Sequence, residues 1–188
     1  LKLRDGTVLT RGQEVLTYIS RNLEPVRGFP SFVRAAAEIL RRRPDCHIVV
    51  VGGDEVSYSG TLPKGQTYRQ KMLDEVPLDL RRVHFLGRVP YQTFLRLLQI
   101  SRAHLYLTMP FVLSWSMLEA MACECLLVAS RTAPVTEAVE DGVNGLLVDF
   151  FDVPGIADRV CAALEAPDGL PELRRRARET VLDRFDLA

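Results

Sequence analysis

The sequence predicts an α/β fold: a three-layer, doubly wound, mostly parallel sheet of Rossmann-like layering. Three observations carry that expectation. Short apolar and β-branched runs alternate with stretches of helical periodicity along the whole chain. The runs are apolar at consecutive positions, as in residues 47–51 (HIVVV), which marks strands covered on both faces. Segments bearing Gly and Pro separate several of the runs from the helical stretches, where the connections of such a sheet lie.

Each element has its own justification. Residues 3–9 read as a small hairpin, because Asp5-Gly6 is a favoured two-residue turn. Residues 15–19 are β-branched and aromatic, hence a strand. Residues 30–43 carry an apolar stripe at Phe32, Val33, Ala36, Ala37 and Leu40, a helix that Pro44-Asp45 ends. Further strands are expected at 47–51, 82–86, 103–107, 125–129 and 145–148. Helices are expected at 68–76, 91–100, 116–122, 156–164 and 172–184. Residues 1–12 are assigned to the hairpin and an interdomain segment, and 13–188 to one ligand-binding domain. The run Arg174-Arg175-Arg176 reads as a solvated helix face.

Composition narrows the function. The 188 residues include 24 Lys+Arg and 24 Asp+Glu, a formal net charge of zero. Neutrality removes the electrostatic case for binding bulk nucleic acid or an anionic membrane. No apolar run is long enough for a transmembrane segment. Cys46 and Cys161 read as small core residues, Cys123-x-Cys125 lacks zinc-knuckle spacing, and His47, His84 and His104 are scattered. Reduced thiols in a cytoplasmic protein, with no metal, are the expectation. The chain opens on Leu1 rather than Met, which reads as a piece of something larger.

In a doubly wound sheet, ligands bind beyond the carboxyl ends of the strands, so the loops there hold the candidate chemistry. Arg21 and Arg27 stand six positions apart in residues 20–28 (SRNLEPVRG). They either converge on a phosphate, aided by helix amides, or are a surface cation and a partner for Glu24. Gly52-Gly53-Asp54 clears side chains where a ligand could approach, yet it is no dinucleotide fingerprint. Gly87 similarly leaves room for a flat base. Residues 107–122 (LTMPFVLSWSMLEAMA) run from a strand into an apolar helix that Ser114 or Ser116 can cap, leaving amides for a diphosphate. Glu119 lies in that apolar turn, suited to a ribose diol or else to a neighbouring Arg. Trp115, the single tryptophan, reads as packing.

These segments, in this order, resemble the carboxy-terminal, nucleotide-sugar-binding domain of a GT-B glycosyltransferase of the group 1, family 4 type. The match rests on residues 20–28, 51–53 (VGG), 85–87 (FLG), 118–122 (LEAMA), 128–130 (VAS), 134–137 (PVTE) and 141–148 (DGVNGLLV). The resemblance implies that Arg21 and Arg27 hold the donor diphosphate, with Arg27 where the family usually has Lys. It implies that Gly53 lines the donor pocket, that Arg88 and Val89 contact the base and that Trp115 and Ser116 offer amides to phosphate. It also implies that Glu119 grips the ribose. It further implies a retaining enzyme that needs no metal and transfers a sugar from a nucleoside-diphosphate sugar. The acceptor, a glycan or lipid-linked glycan, would be held by an N-terminal domain of the same protein, with the enzyme cytoplasmic or peripheral at a membrane. The sequence departs from the family at Phe111, where the first of two paired glutamates is expected, and at Glu124, where Gly is common. The glycines usual after that first Glu are also replaced, within 112–116 (VLSWS). A non-catalytic nucleotide-sugar module or an epimerase of the same architecture are the other readings.

Overall fold

The continuous apolar runs become strands buried on both faces. The computed structural model describes residues 1–111, 113–166 and 170–185. Its strands are β1 (Val15–Asn22), β2 (His47–Gly53), β3 (Val83–Gly87), β4 (Ala103–Tyr106), β5 (Leu127–Ser130) and β6 (Leu146–Val148). They form one sheet in the order β3-β2-β1-β4-β5-β6, with every pairing parallel. Strand order reverses between β1 and β4, which makes their carboxyl ends the topological switch point. The predicted strands are all present, shifted by one or two residues at most ends. β1 runs further than expected, to Asn22, through a register irregularity after Ile19, so Arg21 sits on a strand tip.

The helices are α1 (Phe29–Arg42), α2 (Tyr68–Glu75), α3 (Tyr91–Ile100), α4 (Trp115–Ala122), α5 (Ala133–Thr136), α6 (Val153–Glu165) and α7 (Pro171–Phe185). The sequence pattern does not predict α5, because four residues with a proline in the first turn show no periodic stripe. One face of the sheet, carrying Leu16, Tyr18, Ile48, Val50, Leu105 and Val128, is covered by α1, α2 and α6. Its aromatic centre is Tyr18 stacked on Phe32, with ring centroids 4.2 Å apart. The other face is covered by α3, α4 and α7 in two adjoining clusters.

Residues 1–9 are part of this second face, with Leu3 and Leu9 buried. The expected hairpin is reduced to a single antiparallel bridge between Lys2 and Val8, turning at Gly6, whose φ is +91°. A side-chain chain ties it to the edge of the sheet: Asp5 Oδ2 lies 3.1 Å from His84 Nδ1, and His84 Nε2 lies 3.1 Å from His47 Nδ1. The arginine run on α7 is only partly a solvated face. Arg175 and Arg176 pair with Glu172 on the outside. Arg174 turns inward, because the carbonyls of Arg102 and Glu124 lie within its reach at 2.7 and 3.3 Å.

Candidate functional site

The carboxyl edge of the sheet carries two neighbouring arrangements, one open and one closed. The open one is a cleft of about 350 Å³ lined by, among others, Arg21 from β1, Gly52 from β2, Arg88 and Val89 after β3, Tyr91 from α3 and Glu119 from α4. Glu119 is half-buried, and its neighbour is the Tyr91 phenol rather than an arginine. The carboxylate accepts the phenol's hydrogen bond and places negative charge beside it, which holds the Tyr91 pKa above its ordinary value. Arg88 reaches across the cleft's rim, donating from Nη2 to Glu55 Oε2 at 2.8 Å and to Asn22 Oδ1 at 3.3 Å.

Gly53 stands beside the Arg88 side chain at the rim of this cleft, where an added Cβ would come within 3.1 Å of Arg88 Nε. A Cβ there would stand 2.2 Å from Glu55 Oε2 and 2.5 Å from Asn22 Oδ1. The glycine therefore makes room for the Arg88–Glu55–Asn22 chain. Gly52 lines the cleft, and its missing Cβ lets the backbone pass close to Leu23 and the Ser20 carbonyl, each 2.9 Å from where that Cβ would stand.

The closed arrangement lies over β1 and β4. A short 3₁₀ turn (Pro25–Arg27) follows β1 and passes into α1 through Gly28, at φ +72°. A side chain at Gly28 would place its Cβ 2.4 Å from Leu107 Cβ. This tight junction fixes Arg27, which is buried and donates from Nη1 to Thr108 Oγ1 at 2.9 Å. Its guanidinium lies 5.9 Å from the ring centroid of Tyr58 and 5.7 Å from that of Phe111, at cation–π range. The two rings are 4.9 Å apart. Glu24, 1 % exposed, holds Tyr58 in place: its Oε2 accepts the backbone amides of Ser57, Tyr58 and Ser59 at 3.2, 3.0 and 2.9 Å. Glu24 is thus a loop anchor and not the partner of Arg21.

The start of α4 is capped locally and tied to β4. Ser114 is the cap, its hydroxyl accepting the Ser116 amide at 3.4 Å, and the Ser114 amide donates to the Tyr106 hydroxyl at 2.9 Å. Ser116 is buried, with its hydroxyl 3.0 Å from that of Ser114. Trp115 is 77 % exposed, which corrects its reading as a packing residue. The buried stripe of α4 is Ser116, Met117, Ala120 and Met121, and position 115 falls off that stripe.

Of the residues singled out from sequence, Arg21, Arg88, Val89 and Glu119 share the cleft. Gly53 adjoins Arg88, Glu55 and Asn22, Trp115 and Ser116 stand at the α4 start, and Arg27 lies at cation–π range of the aromatic pair. Sequence reasoning missed Asn22, Tyr58, Tyr91 and Thr108, and it missed the anchoring role of Glu24. Only Glu24 left a trace, a carboxylate between Leu23 and Pro25; the others lacked any local pattern. Glu124 has φ +54°, a conformation that favours glycine, in keeping with the departure noted there. Val112, in the run that replaces the family's glycines, lies outside the described residues.

A family profile described as glycosyl transferases group 1 matches residues 13–166. The chain belongs to that family. Among curated relatives, the D-inositol 3-phosphate glycosyltransferase of Nocardia farcinica is 32% identical over 178 residues, covering 90% of this chain and 37% of that protein. The N-acetyl-alpha-D-glucosaminyl L-malate synthase of Bacillus anthracis is 27% identical, over 94% of this chain and 43% of that protein. The chain thus spans about two fifths of the length of these relatives. Among solved structures, Anabaena Alr3699/HepE in complex with UDP and glucose superposes with a TM-score of 0.76 at 23% identity, over 93% of this chain and 45% of that one. The C-terminal domain of a glycosyl transferase group 1 family protein (LpcC) from Francisella tularensis superposes with a TM-score of 0.75 at 19% identity, over 93% and 87%. The sheet of this group 1 chain is the Rossmann-like half of a GT-B fold, and no helix among its described residues is long and apolar enough to cross a membrane.

Proposed function

We propose that this chain is the donor-binding half of a retaining, metal-independent glycosyltransferase that takes a sugar from a nucleoside-diphosphate sugar. The observation that carries the reading is one cleft at the switch point that gathers Arg21, Arg88, Val89 and Glu119. Glu119 accepts two hydrogen bonds from the ribose hydroxyls, displacing the Tyr91 phenol. The backbone around Arg88 and Val89 meets the base. Arg21 and the first amides of α4 take the diphosphate, and Arg27 adds fixed positive charge from below. Charge that develops on the leaving diphosphate is neutralised by these cations and amides, which are in place before the reaction. No step is assigned to a metal ion. The acceptor, a glycan or lipid-linked glycan held by an N-terminal domain of the full protein, attacks the sugar on the face from which the diphosphate departs. The UDP and glucose in the Anabaena complex agree with this class of ligand.

Calorimetry of the chain with UDP, GDP and ADP, with and without Mg²⁺, tests the reading. One diphosphate should bind equally well in both conditions, and Arg21→Ala or Glu119→Ala should each weaken it by about tenfold or more. Binding of none of the three, or strict Mg²⁺ dependence, would sink it. Phe111 favours a second reading, a non-catalytic nucleotide-sugar module. The full-length protein separates the two: a module binds donor yet neither transfers nor hydrolyses it.

A further inference from the structure

Asp5, His84 and His47 stand in line between residues 1–9 and the sheet, and the nucleotide reading uses none of them. Asp5 Oδ1 accepts the Thr7 amide at 2.9 Å, which shapes the turn, and Oδ2 lies 3.1 Å from His84 Nδ1. On the far side of the ring, His84 Nε2 lies 3.1 Å from His47 Nδ1, with the two imidazoles stacked at a centroid distance of 5.4 Å. The His84 side chain is 2 % exposed and that of Asp5 is 54 % exposed, so the line runs from a buried strand position out to the turn. Leu3 and Leu9 are buried on either side of that turn, and the line fixes its middle. Residues 1–4 also share a groove with Arg88 and Val89, which line the cleft on their other side.

Hydrogen counting limits what this line can hold. A carboxylate only accepts, so the hydrogen on the Asp5 side belongs to His84 Nδ1. In the neutral ring Nε2 is then bare, and His47 must donate to it from Nδ1. One added proton fits without loss: His84 Nε2 donates to His47 Nδ1, and His47 carries its hydrogen on Nε2 instead. A second proton does not fit, because it sets two N–H groups against each other. The charged groups around the pair are Asp5 and Arg4 on the turn, Asp45 before β2 and Arg82 before β3. Arg82 is paired with Asp79, Glu14 before β1 is paired with Arg43, and Arg96 on α3 is exposed. Burial, the His84 ring and Arg82 hold His47 below its ordinary pKa, against the pull of Asp45 and Asp5. Hydrogen bonds from Thr7 above all keep the Asp5 carboxyl below its ordinary range, so it stays an anion while imidazoles titrate. The first proton is therefore held on the Asp5 side of the pair.

We infer that residues 1–9 form a proton-fastened strap: one proton taken up by the His84–His47 pair turns the Asp5 contact into an ion pair and tightens the turn against β3. Linkage sets the sign. The ion pair exists only with the proton bound, so the fastening is present below the pH of the first uptake and is lost as pH rises through it. Solvent around the half-exposed Asp5 limits the gain to about threefold in the ratio of closed to open strap. The second proton, taken up at lower pH, parts the two rings and leaves the Asp5 contact in place.

Amide hydrogen exchange of the chain is the test, with each protection taken relative to the unstructured rate at the same pH. The Leu3, Gly6 and Leu9 amides close the strap, donating to the Thr7, Leu3 and Leu1 carbonyls. Their protection should rise by about threefold between about pH 8 and about pH 5, while that of the β1 amides, which report the whole fold, does not rise. Asp5→Asn keeps an acceptor for the Thr7 amide without the charge, and should abolish the rise. His47→Gln removes the outer ring but not the Asp5–His84 contact, so the rise should persist. Ring-nitrogen NMR gives a second reading: at about pH 8 both imidazoles should carry their hydrogen on Nδ1, and the first uptake should come at lower pH in Asp5→Asn. Strap protection that is flat or falls toward acid, a rise that survives in Asp5→Asn or disappears in His47→Gln, or a hydrogen on Nε2 of either ring at about pH 8 would overturn the proposal.

Discussion

Arg21 and Arg27 are six residues apart in one loop sequence, yet the fold gives them opposite surroundings. Arg21 stands exposed at the tip of β1, on the wall of an open cleft. Arg27 is buried one turn later, bonded to Thr108 and roofed by two rings. The difference lies in the local backbone: the register irregularity of β1 turns Arg21 outward, and the Gly28 junction clamps Arg27 against β4. Two like charges in one motif thus divide into an exposed residue on the cleft wall and a buried one fixed by its neighbours. A site that bound its anion by two flexible arginines would order both on binding; this one has already ordered one of them.

The largest effect should come from the clamp. Gly28→Ala imposes positive φ on a side chain and drives Cβ onto Leu107, so unfolding free energy should fall by about 3 kcal/mol, read by urea denaturation. The same change at an open turn such as Gly65, where a Cβ meets nothing, carries only the conformational cost of about 1 kcal/mol. Equal losses at both would show that the junction is not under steric control.

The seam beneath the clamp should respond to acid. His104 on β4 is fully buried, with Nδ1 3.0 Å from Thr17 Oγ1 on β1, and burial pushes its pKa from the ordinary 6.5 down to about 4. The folded state therefore resists a proton that the unfolded chain accepts. Its stabilising contribution is complete above pH 6.5 and is lost as pH falls from there toward 4, by up to about 3 kcal/mol. In His104→Leu that part of the pH dependence of denaturation should vanish, and an unchanged slope would place the sensitivity elsewhere.

Next in size is the anchor of the Tyr58 loop. Glu24→Ala leaves three amides without their acceptor and should cost about 2 kcal/mol, whereas Arg21→Ala on the open side should change stability by less than about 0.5 kcal/mol while weakening nucleotide binding. Reversed magnitudes would exchange the fixed and open roles. Smallest is Glu124→Gly, remote from both arrangements. Relief of φ +54° should add about 1 kcal/mol, seen as a higher denaturation midpoint with no change in nucleotide affinity.

Much of this is legible in order along the chain. The consecutive apolar runs identify six parallel strands; strand-end reasoning names Arg21 and Glu119, the family resemblance adds Arg88 and Val89, and the four line one cleft. The family resemblance also marks Glu124 and Phe111 as departures. Trp115 misleads because one position on a helix decides between core and solvent, and a short apolar helix conceals its stripe. The room that Gly53 makes for Glu55 and Asn22 is hidden from the sequence, because those atoms are set against it only by the folded strand ends.

By itself, then, the sequence determined the layering of the sheet, its family and the edge where chemistry gathers, because periodicity and strand-end motifs are local properties. Only the tertiary structure decided that Arg27 is buried, that Glu24 anchors a distant loop and that Tyr58 meets Phe111 over a guanidinium. Those contacts join residues tens of positions apart, and no spacing along the chain encodes a distance that the sheet creates by bringing β1, β2 and β4 side by side.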